Sequence, residues 1–183
     1  MIRDLDGARR AEHAGVPMTF VYFWGAESSG GVGAECLSQW YESPFTVEDT
    51  TYATAEHFMT AGKARLFGDE EAAERVQAAR TPAEAKDLGR QVRGFDSAVW
   101  DAHRFGIVVA GNVAKFDSDP RLRDYLLGTG DRVLVEASPL DRIWGIGLRR
   151  DDERARTPST WRGLNLLGFA LMTARDELGS ARR

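Results

Sequence analysis

The period of the apolar positions changes several times along the chain, and each change marks an element. From Met18 to Trp24 the residues are mostly aromatic or β-branched, the composition of a strand. Pro44 to Val47 predicts a second, shorter strand, turned at Glu48 and Asp49. Between them, 27–33 is rich in serine and glycine and reads as a loop. Helical spacing then takes over, with Ala55, Phe58, Met59, Gly62 and Leu66 forming one apolar stripe. Asp69 predicts the cap of a helix over 70–79. Thr81, Pro82 and Glu84 supply an N-cap, a proline at the first helical position and a glutamate at the third. A longer helix is predicted over 97–116, where Val99, Trp100, His103, Ile107, Ala110 and Ala114 recur. Asp119-Pro120 opens another, ending near Gly128. Residues 132–137 and 142–148 alternate as two strands joined by the turn 138–141, and a final helix runs from Trp161 or Arg162 to Leu178. Few strands among many helices predict an α+β fold: a single, mainly helical domain around a small β-sheet. Residues 1–17 read as a polar leader and 18–180 as that domain.

Composition narrows the class. The chain has 183 residues, 43% hydrophobic and 28% charged, which suits one globular domain with a core of its own. No apolar run approaches a membrane span, and the charged N-terminus lacks the apolar stretch of a signal peptide. Cys36 is the one cysteine, which excludes an internal disulfide and favours a cytoplasmic location. The net charge of −4 argues against sequence-independent nucleic-acid binding, which depends on neutralising phosphates. Arg142, Arg149, Arg150, Arg154, Arg156 and Arg162 nevertheless crowd one stretch with Asp151, Asp152 and Glu153. That stretch reads either as a solvated, internally paired loop or as a rim that catches phosphate.

Most familiar chemistries find no support. His13, His57, His103 and Cys36 lack metal-ligand spacing, so no metal is expected. Gly30 to Gly33 lacks the context of a dinucleotide fingerprint, and Gly62-Lys63 is followed by Ala64 rather than Ser or Thr. No cofactor is called for. Ser28, Ser29 and Ser38 sit in no nucleophile elbow.

Two segments remain that are dense in reactive groups. Glu56 and Lys63 lie on one face of the helix predicted over 52–63, separated by roughly 10 Å. Asp141, Arg142 and Trp144 then fall within four residues, followed by Gly145 and Gly147, which permit close approach to backbone.

These runs, Glu56-His57-Phe58-Met59 through Gly62-Lys63 and Asp141-Arg142-Ile143-Trp144-Gly145-Ile146-Gly147, resemble signatures of the NADAR family. So do Phe23-Trp24-Gly25, Leu37-Ser38-Gln39-Trp40-Tyr41, Pro44-Phe45, Trp100, and the run from Gly163 through Asn165 and Gly168 to Met172. The family includes an N-glycosidase of riboflavin-pathway intermediates and enzymes that remove ADP-ribose from guanine bases. The resemblance implies a NADAR, N-glycosidase-like fold and a hydrolase that cleaves the N-glycosidic bond between ribose and a nitrogenous base. Glu56 and Asp141 would then handle protons around an oxocarbenium-like transition state. Trp100 and Trp144 would stack on the base. Trp24, Ser38, Gln39, Arg142, Gly145 and Asn165 would complete the substrate site. Gln39 stands where the family pattern has asparagine, one methylene shorter.

Each assignment has a plainer alternative. The helix dipole alone favours Glu56, Asp141 suits a turn, and Trp100 suits a core. Lys63 is either a salt-bridge partner of a carboxylate or a nucleophile forming a Schiff base with the ring-opened sugar. His57 reads as structural. Asn165, an amide in an apolar helix, either fixes a loop or bonds the ligand. The expected substrates are ADP-ribosyl-guanine, in DNA or RNA or as the nucleoside, and a ribose-5-phosphate N-glycoside. Either a proofreading role, removing reactive metabolites, or an antitoxin role beside a partner toxin, reversing a DNA modification, would follow from the substrate. The rival from another class is a non-hydrolytic module that senses ADP-ribose or a related nucleotide.

Overall fold

The computed structural model describes residues 2–26 and 31–180, so positions 27–30 of the expected loop lie outside the described residues. In chain order the elements are α1 (Leu5–His13), β1 (Phe20–Phe23), β2 (Phe45–Val47), β3 (Thr50–Tyr52), α2 (Ala55–Leu66) and α3 (Glu70–Gln77). There follow α4 (Pro82–Gly89), α5 (Ser97–Ser118), α6 (Pro120–Gly128), β4 (Val133–Glu136) and α7 (Leu166–Ser180). The fold is α+β and mainly helical, its strands forming two short pairs. Among the described residues no helix is long and apolar enough to cross a membrane. The elements group into two compact units, one of residues 39–120 and one of the chain on either side.

The first unit is helical. Thr54, Asp69, Thr81 and Asp96 each accept a backbone N–H from the first turn that follows, Asp69 and Thr81 as the sequence predicts. The helix expected over 52–63 instead spans Ala55–Leu66, because Tyr52 is taken into β3. Small residues let α2 pack closely. A side chain at Gly62 would meet Ile107, and one at Gly111 would meet the Phe58 ring. Ala55, Ala61, Ala64, Ala73, Val76 and Ala85 fill the core with Phe45 and Tyr52. β2 and β3 form an antiparallel hairpin whose two turn residues, Glu48 and Asp49, both have positive φ (47° and 65°). That is the backbone a two-residue hairpin loop requires. The turn is expected from the sequence, whereas β3 is not: Thr50 and Thr51 become a strand only by pairing with β2.

In the second unit β1 and β4 run parallel, Phe20 opposite Val133 and Phe23 opposite Glu136. Alternate peptides of β4 turn the other way, towards groups that are not a strand. The Asn165 amide donates to the Leu134 carbonyl (2.9 Å) and accepts from the Glu136 N–H (3.0 Å), while Ile146 N–H donates to the Glu136 carbonyl (2.9 Å). One side chain and one peptide thus occupy the edge that a neighbouring strand would take.

This corrects two expectations. Residues 142–148 alternate like a strand but are irregular, because their backbone groups bond outwards to 162–167 as well as to β4. The last helix begins at Leu166, not at Trp161 or Arg162, and Asn165 precedes it with φ 54°. Within the segment read as a polar leader, Asp4 caps α1, and Glu12 holds Ser159 through both its N–H and its hydroxyl (2.9 and 2.8 Å).

Candidate active site

In the helical unit, Glu56 lies in the first turn of α2, where backbone N–H groups favour a carboxylate, and is 5% exposed. Its own N–H donates to the Gln39 carbonyl (3.0 Å). The Gln39 side chain turns inwards, its Oε1 accepting from Asn112 Nδ2 on α5 (3.0 Å). Gln39 and Glu56 are therefore joined through backbone, and the extra methylene of Gln39 is spent reaching α5.

Lys63, two turns further along α2, donates to the Gly89 carbonyl at the end of α4 (2.7 Å). Its amine lies 4.3 Å from the centre of the Phe95 ring and 5.8 Å from Trp100. Burial lowers its pKa. Lys63 and Trp100 are thus brought together, and Phe95, 47% exposed, joins them. His57, by contrast, points into the packing. Its Nε2 donates to the Ala79 carbonyl (3.1 Å), so the neutral ring accepts at Nδ1 from the Thr54 hydroxyl (2.8 Å). Burial lowers its pKa, partly offset by that Ala79 bond.

In the other unit, Asp141 organises its own turn. One carboxylate oxygen accepts from the N–H groups of Ile143 (2.8 Å) and Trp144 (2.7 Å), and its N–H donates to the Ser138 hydroxyl (3.2 Å). Its second oxygen has no hydrogen bond among the described residues. Trp144 is held by the same turn, and the Arg142 carbonyl accepts from Leu164 (3.0 Å). Gly145 is buried against the Glu136 and Asp141 carbonyls, so the close approach it permits is to the chain itself. A Cβ at Gly163 would strike the Gly145 carbonyl. The Asn165 amide is committed to β4 at both ends, the loop-fixing alternative. Ser38 follows a short 3-10 turn, bonding back to Glu35 (3.0 Å), and Trp24 stands 53% exposed beyond β1. Among the described residues no three His, Cys, Asp or Glu side chains cluster to hold a metal ion.

Sequence reasoning passes over Phe95, Asn112 and Glu35. Asn112, a buried amide in an apolar helix, carries the signal that singled out Asn165. Phe95 has no local signal, since its importance comes from the lysine that folding sets beside it.

The NADAR domain model matches residues 22–179. The chain belongs to the NADAR family. It is 40% identical to an N-glycosidase of Acanthamoeba polyphaga mimivirus over 163 residues, 86% of this chain and 95% of that protein. It is 35% identical to an N-glycosidase of Nostoc punctiforme over 145 residues, 78% of this chain and 85% of that one. The NMR structure of the E. coli protein YbiA superposes with a TM-score of 0.72 at 27% identity, covering 96% of this chain and 93% of YbiA. NADAR membership places the chain among N-glycosidase-like proteins and accounts for the order of motifs from Phe23 to Met172.

Proposed function

We propose that this NADAR protein is a hydrolase cleaving the N-glycosidic bond between a nitrogenous base and ribose borne on ADP or a 5-phosphate. The observation that carries the reading is Lys63. It is a partly buried amine with a lowered pKa, set against two aromatic rings and a backbone carbonyl rather than a carboxylate. A merely paired lysine would have its pKa raised by its partner.

The chemistry runs through the open sugar. N-linked ribose opens to an imine in which C1′ is doubly bonded to the base nitrogen and the ring oxygen becomes a hydroxyl. The neutral Lys63 amine adds to C1′, and the base leaves as its amine, taking a proton. Water then hydrolyses the lysine imine, releasing the sugar and restoring Lys63. Glu56 and Asp141 are assigned the proton transfers, and Trp100 and Trp144 the stacking of the base. If the base is guanine in nucleic acid, the protein reverses ADP-ribosylation placed there by a partner toxin.

Mass spectrometry tests this. The protein is incubated with ADP-ribosylated guanosine DNA and, separately, with ribose-5-phosphate N-glycosides, each with and without cyanoborohydride. Base release with a sugar adduct on Lys63 is expected. Release without an adduct would remove the covalent step, and no release from either substrate would favour a non-hydrolytic sensor. Asp141→Ala separates the two classes further: an enzyme loses base release while keeping its ligand.

A further inference from the structure

The groups around Lys63 suit one charged form of its nitrogen better than another. Among the described residues its amine has one acceptor, the Gly89 carbonyl (2.7 Å), and the nearer of its two rings is Phe95, centred 4.3 Å away. Trp100, at 5.8 Å, stands at the far limit of such a contact. A lysine ammonium brings three N–H donors, and burial disfavours its charge. A protonated imine on the same nitrogen keeps a single N–H, which one carbonyl satisfies. It also carries a positive charge, which the face of a ring attracts.

Phe95 is held there from both sides along the chain. Before it, the Arg93 N–H (2.9 Å) and guanidinium both donate to Asp69. Gly94 then turns the chain with φ 70°, a backbone that glycine adopts freely. After it, Asp96 accepts from the Val99 N–H (2.9 Å) and starts α5. The Phe67 ring backs Phe95 edge-on, 5.4 Å between centres. Phe95 nonetheless stays 47% exposed, so core burial does not account for its place.

Nearby charges are engaged with one another. Arg93 pairs with Asp69 and Glu71, Arg90 with Asp87, Arg104 with Asp101 and Arg65 with Glu70, while His103 donates to the Val99 carbonyl. Burial, not a neighbouring charge, is what moves the Lys63 pKa.

The ring acts when the base departs. Once the amine has added to C1′, an acid protonates the base nitrogen, and the base leaves with the electron pair of its bond to C1′. The Nζ lone pair then closes a double bond to C1′, which puts the positive charge on Nζ. Water adding to C1′ returns that pair to Nζ and discharges it. We propose that Phe95 is a catalytic residue of this reaction: its ring face stabilises the protonated imine on Lys63 Nζ, whose one N–H donates to the Gly89 carbonyl. The inference rests on the proposed covalent hydrolase and adds a residue outside the runs that resemble the family signatures.

Phe95→Leu keeps bulk and removes the ring, whereas Phe95→Trp keeps a ring. The chain's lysines are Lys63, Lys86 and Lys115, so the Cε resonance of Lys63, assigned by its loss in Lys63→Met, can be titrated by NMR without substrate. Phe95→Leu is expected to lower the Lys63 pKa below its wild-type value, and Phe95→Trp to leave it close to wild type. Base release is then followed against pH, with melting temperatures unchanged. Phe95→Leu is expected to be slower by about fivefold where Lys63 starts neutral. On the acid side it should match wild type, because there the ring stabilises the resting ammonium as much as the imine. A Lys63 pKa unchanged or raised in Phe95→Leu, or a rate loss equal at every pH, makes Phe95 a packing residue and overturns the proposal. Absence of base release or of a cyanoborohydride-trapped adduct in the wild type removes the covalent hydrolase, and the role of Phe95 with it. A trapped adduct with a wild-type pH profile in Phe95→Leu removes Phe95 alone.

Discussion

Lys63 is held by opposing influences. Burial disfavours its charge, while the carbonyl end of α4 welcomes a donor. With the folded pKa below 10.5, the folded state carries a penalty for holding the proton at neutral pH. As pH rises from the folded value towards 10.5, the unfolded chain retains more protons, and folding gains stability. Lys63→Met is therefore expected to keep or raise the melting temperature while abolishing adduct formation, read by scanning fluorimetry and mass spectrometry. A large fall in melting temperature would instead make Lys63 a structural residue. His57 gives a second handle on pH. Its folded pKa lies below 6.5, so the stability due to its neutral form is present above 6.5 and lost as pH falls through the window down to the folded value. His57→Gln should flatten the acid-side slope of melting temperature over that window, and an unchanged slope would place the sensitivity elsewhere.

At the scale of elements, the irregular backbone depends on single residues. Asn165→Ala removes both bonds to the β4 edge and leaves a buried carbonyl and N–H without partners, a loss of about 2–4 kcal/mol. Chemical denaturation checks this, and a loss below about 1 kcal/mol would mean that water replaces the amide. α3 and α4 were legible because their signals are local: Asp69 and Thr81 each cap the turn that follows them. The β4 edge was not, because alternation over 142–148 looks the same whether the partner is a strand or the Asn165 side chain. β3 escaped for a related reason. Thr50 and Thr51 need the positive-φ turn at Glu48 and Asp49, two residues without the glycine that advertises such turns. Of the candidate residues, Glu56 and Lys63 stood out by helical spacing, and Asp141 by its motif. Phe95 did not, since it matters only through a cation that folding brings to it.

For the whole molecule, a net charge of −4 offers no general attraction to phosphate backbone. Unmodified duplex DNA should therefore not be retained in a gel-shift assay at physiological salt, whereas ADP-ribosylated DNA should be. Retention of both alike would show that phosphate backbone, not the modification, is what the protein holds. The contact between Gly145 and Gly163 bears on how such chains are recognised. A side chain at Gly163 would strike the Gly145 carbonyl, one at Gly168 would strike Leu134, and Asn165 lies between them in the chain. These residues keep a backbone together. A descendant that had lost all turnover would still have to retain them to fold, and would still be assigned to the family by its motifs. Whether a NADAR chain is an enzyme is better asked at Glu56, Lys63 and Asp141, by measuring turnover in their variants.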